Sequence, residues 1–253
     1  MPAFDIDAIL TLLLVYLRIL SFLFMVPIFG KEFLPANIKL YLAMALSLSV
    51  FLFGDVKIVK FENTSLYLLA MVNEIIFGFV AGLIVRFIFD AIYIGGEIIA
   101  TSMGLGFLMM FLPQQPQVTV LAGFSLVMAT ALFLSLGGAE IILIALADSF
   151  SNIGPGAFNI FSLNPDVFLT LFYESFTLGV KLSLPVLVAL LLTNIILAVI
   201  NRFIPQVNVF MVGLPIQLMV GFFILVLSLP VIGIVMASHM KEYIFDVIGF
   251  IRG

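Results

Sequence analysis

Asn201-Arg202-Phe203-Ile204-Pro205-Gln206-Val207-Asn208-Val209-Phe210, closed by Gly213-Leu214-Pro215, sets a charge, a glutamine, two asparagines and two prolines between two long apolar runs. Proline removes a backbone donor and crowds the preceding turn. In lipid each freed polar group costs several kcal/mol unless protein or a wet cavity satisfies it. The passage is therefore expected to be buried against protein or to line a path. From Pro205 to Pro215 it reads as a hairpin turn or a discontinuous helix, with Arg202, Pro205, Gln206, Asn208, Gly213 and Pro215 forming the break. Arg202 stands where its guanidinium can bond carbonyls that a proline leaves free.

Composition places the runs around it in a membrane. The chain is 64% hydrophobic and 9% charged, against about 45–50% and 25% in soluble domains. Its net charge of -4 includes no run of Lys or Arg, which excludes a nucleic-acid surface and a polybasic lipid patch. There is no cysteine, so disulfides, thiolate metal sites and cysteine nucleophiles are excluded. His239 is the only histidine, which rules out HExxH chemistry and multi-histidine metal centres. Gly123-Phe124-Ser125-Leu126-Val127 lacks the second glycine of a serine-nucleophile elbow, and no glycine-rich phosphate loop carries a lysine. No enzymatic activity, metal or cofactor is expected.

Six apolar stretches can be read: Ile9 to Phe29, Ile38 to Phe53, Ser65 to Tyr93, Val118 to Ala147, Val167 to Ile200 and Val207 to Ala237. A straight span needs about 20 residues. The second stretch is shorter than this and the third to fifth are much longer. Breakers fall within or at the ends of the long ones, at Gly95-Gly96, Gly137-Gly138, Pro185, Gly213-Leu214-Pro215 and Pro230. The expected fold is all-α, an integral membrane protein of kinked helices and helical hairpins. Gly95-Gly96-Glu97 is taken to end the third helix. The organisation is one domain, 1–253, in approximate halves 1–117 and 118–253. After His239, Ile244, Val247, Ile248 and Ile251 recur at helical spacing, with Lys241, Asp246 and Arg252 elsewhere on the wheel; residues 239–253 read as an amphipathic helix, interfacial or docked on a partner. Basic residues are nearly balanced over successive loops, so charge does not orient the chain.

Two groups of residues stand out as candidates. Glu74, Gly78, Gly82, Arg86 and Asp90 follow one another at i+4, a ridge on one helix. Arg86 and Asp90 are placed to pair, and Gly78 and Gly82 let another helix approach closely. The ridge reads either as a contact within the chain around a neutralised ion pair or as an intersubunit face or polar path, and Glu97, which follows it, is grouped with it as a helix-packing or intersubunit-contact residue. The second group is the passage from Gly104 to Gln117, with Gly104, Gly106, Phe107, Met109, Met110, Phe111 and Pro113. Two prolines forbid a continuous helix there, and flexible apolar methionines suit either a pore plug that yields to cargo or a connector packed on the membrane surface. Arg18, Glu140, Glu174 and Lys181 are isolated charges, read as buried pairs or snorkelled ends. Glu174 and Lys181, seven apart, share a helix face.

The passage from Asn201 to Phe210, with Gly213-Leu214-Pro215 and Gly221, resembles the signature of the FliR family of flagellar type III export-gate proteins. Arg18, Pro27, Gly30 and Pro35, the region from Glu74 to Gly82, and Gly96-Glu97 leading to Met103-Gly104 resemble it too. The resemblance spans nearly the whole chain. It implies a subunit of a membrane-embedded gate, built with FliP and FliQ homologues and contacted by an FlhB homologue. Kinked hairpins would form a helical pore assembly in the bacterial inner membrane, at the flagellar basal body, raised toward the periplasm. Unfolded flagellar subunits would pass through it. The resemblance also implies that residues 104–117 plug the resting pore. The chain departs from the family in having Leu112-Pro113-Gln114 where an acid commonly precedes the proline. A paralogue from an injectisome, the virulence type III machine, is the nearest alternative, and a small-solute secondary transporter a more distant one.

Overall fold

The computed structural model describes residues 6–30, 33–54, 56–61, 63–106, 119–159, 165–204 and 209–252. Among them there is no strand. Seven α-helices follow in order: α1 (Ile6–Met25), α2 (Ala36–Phe53), α3 (Thr64–Ser102), α4 (Val120–Ser135), α5 (Gly138–Asn152), α6 (Pro165–Phe203) and α7 (Val209–Arg252), with a 3-10 turn at Pro27–Phe29. Five helices are long and apolar enough to cross a membrane, and α4 with α5 makes a sixth candidate as one broken span. The all-α membrane fold and its six apolar segments are thus as the sequence indicates.

Several boundaries follow from local chemistry. Pro27 opens the 3-10 turn, whose end is closed by the Gly30 N–H donating to the Pro27 carbonyl at 2.7 Å. Gly137 takes φ +72° between α4 and α5, a left-handed conformation that costs other residues about 1–2 kcal/mol.

One expectation is corrected: Gly95-Gly96-Glu97 does not end α3, which continues to Ser102. Glycine weakens a helix by only about 1 kcal/mol, while unpaired backbone in lipid costs more. Here the two glycines make room for neighbours. A Cβ on Gly95 would fall 2.8 Å from the Gly179 carbonyl oxygen of α6, and one on Gly96 would fall 3.0 Å from Ala122 Cα of α4.

The chain divides into two compact units, residues 1–87 with 133–172 and 241–253, and residues 88–132 with 173–240. In the first, α1 packs on α2 and on the first half of α3. Gly78 lies against Ser21 Oγ and the Arg18 carbonyl, and a Cβ on Gly82 would sit 2.6 Å from Met25 Cβ. Leu14, Ile19, Phe22, Phe77, Ile142 and Leu146 fill the core. The Tyr243 hydroxyl donates to the Ile84 carbonyl at 2.7 Å, tying the end of α7 to α3. That end of α7 is not a separate helix. It buries Ile244, Val247 and Ile251 and exposes Lys241 and Asp246.

In the second unit, Ile99, Ala100, Met103, Leu121, Val186 and Leu190 form the core. Helices α6 and α7 run antiparallel: a Cβ on Gly213 would meet Leu197 Cδ1 at 3.4 Å, and four residues further along α7 the Gln217 amide donates to Asn194 Oδ1.

Candidate functional site

The first unit is built around a charge pair that no local pattern reveals. Arg18 on α1 and Glu74 on α3, 56 residues apart, are both wholly buried. They pair in a bidentate fork, Arg18 Nε to Glu74 Oε2 at 2.5 Å and Nη2 to Oε1 at 2.9 Å. Arg18 Nη1 also donates to Ser149 Oγ and to the Ile153 carbonyl, each at 3.1 Å. Glu74 Oε1 accepts from the Gly156 N–H at 2.6 Å. The guanidinium lies 4.5 Å from the Phe77 ring centre and 4.2 Å from that of Phe150. Desolvating two ions is tolerable only where such geometry and extra donors compensate. The network therefore joins α1, α3, α5 and the chain after α5 at one point.

In the second unit, polar groups gather at the two ends of the passage from Gly104 to Gln117. At its start, buried Met103 packs so closely on α7 that a Cβ on Gly221 would lie 2.6 Å from its Cγ. Gly104 then turns with φ +80° and donates its N–H to the Thr101 carbonyl at 3.0 Å. At the far end, Thr119 Oγ1 donates to Glu97 Oε2 on α3 at 2.6 Å and accepts from the Ala122 N–H at 3.3 Å. Thr119 thus caps α4 and holds its start against α3 in one contact. Gln217 and Asn194 lie on the Gly104 side: a Cβ on Gly104 would be 3.8 Å from Gln217 Oε1.

The candidate residues fall as follows. Gly104 and Gly106 are described, whereas Phe107, Met109, Met110, Phe111 and Pro113 lie outside the described residues. Gly78 and Gly82 face α1. Arg86 and Asp90 occupy successive turns of α3, Arg86 exposed and Asp90 partly buried. Glu97 meets Thr119. Arg202 lies in the last turn of α6, while Pro205, Gln206 and Asn208 lie outside the described residues. Gly213 and Pro215 sit inside α7. Pro215 is only six residues past the first residue of that helix, and a proline there forfeits a single bond to the turn before it. The Arg18–Glu74 fork and the Glu97–Thr119 bond were the contacts that sequence reasoning did not find. Arg18 stands in the sequence as an isolated charge and Glu74 as the head of a ridge, with no spacing that pairs them.

An all-helical chain with five or six apolar spans, a neutralised core ion pair and polar residues around one interhelical passage is an integral membrane protein. Residues 9–243 match the family described as bacterial export proteins, family 1. The flagellar biosynthetic protein FliR of Aquifex aeolicus (strain VF5) is 52% identical over 237 residues, 94% of this chain and 92% of that protein. The FliR proteins of Pectobacterium carotovorum and Bacillus subtilis (strain 168) are 33% and 30% identical over 92% of this chain, covering 89% and 91% of their own lengths. The chain belongs to this FliR family of bacterial export proteins. It is a membrane-embedded component of flagellar protein export.

Proposed function

We propose that the chain is a subunit of the flagellar type III export gate, forming with FliP and FliQ homologues, and in contact with an FlhB homologue, a pore for unfolded flagellar proteins. The observation that carries this reading is a mismatch of length and cover. α3 and α6 have 39 residues each and α7 has 44, about 58 and 66 Å at 1.5 Å per residue, twice the roughly 30 Å hydrocarbon core. Yet in an 18-residue apolar window of each, only 22% of α6 and 17% of α7 are buried within the chain. More apolar surface is presented than one bilayer thickness covers, and other subunits supply the remaining cover. An assembly in the bacterial inner membrane, raised toward the periplasm, accommodates helices of this length. The relatives above are named as flagellar, which favours the flagellar gate over an injectisome.

In this reading residues 104–117 plug the resting pore. The Met103–Gly221 and Thr119–Glu97 contacts give that passage two fixed ends. Purifying the tagged chain in mild detergent from its own cells tests the function. FliP and FliQ homologues are expected to come with it, and a chain that purifies alone and is stabilised by a small solute would overturn the reading. Replacing Met109, Met110 and Phe111 by glycine should raise inner-membrane permeability to ions in an assembled complex. Unchanged permeability would remove the plug.

A further inference from the structure

Glu174 and Lys181 lie on α6 in the second unit, two turns apart and within about 20° of each other around the helix. Both side chains are exposed. Neither makes an ion pair or side-chain hydrogen bond with a described residue. The same face continues through Pro185, Val188, Leu192, Val199 and Phe203, all exposed. Pro185 has no N–H, so the Lys181 carbonyl, four residues back, lacks its helical donor. One stripe of α6 therefore offers an acid, a base and a freed carbonyl, followed by about 30 Å of apolar side chains. Lipid satisfies none of the polar groups, and water does not suit the rest.

We propose that this stripe docks a helix of a different polypeptide, one that sets a basic residue against Glu174 and an acidic residue two turns away against Lys181. Its apolar side chains cover the face from Val188 to Phe203. Complementary charges across such a surface fix register and exclude wrong partners. A second copy of this chain inserted in the same orientation does not fit, because parallel α6 helices in register set Glu174 against Glu174 and Lys181 against Lys181. The proposal rests on the reading of the chain as a gate subunit, and it names the face and the chemistry of one neighbour.

The test uses the full-length tagged chain in its own cells, with the photo-crosslinking residue benzoylphenylalanine at Val188. An adduct with another polypeptide is expected. In the exchanged variant Glu174→Lys with Lys181→Glu, that adduct should fall at least tenfold with the chain's membrane level unchanged, while Glu174→Asp with Lys181→Arg keeps it. An adduct with lipid alone, or one undiminished by the exchange, overturns the docking face even though the tagged chain still brings other subunits with it. A tagged chain that brings none overturns the gate reading, and this docking with it.

Discussion

Arg18 and Glu74 differ from Glu174 and Lys181 in where their charge is answered. The first pair is wholly buried and closed by two aromatic rings, a serine, a carbonyl and a backbone N–H. The second pair is exposed on a long apolar helix with no partner among the described residues. A membrane protein keeps few charges because each is costly in lipid. Charges satisfied internally hold one fold together, whereas charges left open mark where the chain is incomplete by itself. The small residues differ in the same way: Gly78 and Gly82 are filled by α1, and Gly95 and Gly96 by α6 and α4, so their work is internal.

Removing one side of the closed pair should have the largest effect. Glu74→Ala strands a buried guanidinium and is expected to cost about 3–5 kcal/mol, read by thermal unfolding of the detergent-solubilised chain. The double replacement Arg18→Leu with Glu74→Leu should recover much of this, since no charge is then left buried. If Glu74→Ala unfolds like wild type, the closed half of the comparison fails. Gly78→Leu comes next, at about 1–3 kcal/mol, because the new side chain meets the α1 backbone at Arg18. Thr119→Val should cost about 1 kcal/mol and loosen the start of α4, while Thr119→Ser keeps both of its bonds. Amide hydrogen exchange at Leu121 to Gly123 separates the two variants. Gly104→Ala forces an L-residue to φ +80° and should cost about 1 kcal/mol, visible as a small shift in melting temperature.

The helices were legible because periodicity and hydropathy are local. The break between α4 and α5 was visible for the same reason, at Gly137-Gly138. Gly95-Gly96 does not end α3, and the sequence cannot show this because a glycine pair looks alike whether it ends a helix or admits a neighbour. Only the approach of Gly179 and Ala122 decides between these. The Arg18–Glu74 fork joins residues 56 apart, beyond any helical period, so the sequence shows only Arg18 as an isolated charge and Glu74 at the head of a ridge. Glu97 reads in the sequence only as a packing or contact residue beside the ridge. Its bond to Thr119 spans a passage whose own residues carry no periodic signal. The break after Arg202 was placed by its prolines, yet Pro215 lies in α7, because a membrane helix tolerates one missing bond more readily than an open turn.

The measurement that tests the comparison most directly is thermal unfolding of the purified chain alone, with Glu74→Ala and the Glu174→Lys, Lys181→Glu exchange run side by side. Charges closed inside the fold and charges left for a partner predict a melting temperature lowered by many degrees for the first and unchanged for the second. Equal losses in the isolated chain would show that Glu174 and Lys181 also serve the chain's own fold, contradicting the division drawn between them.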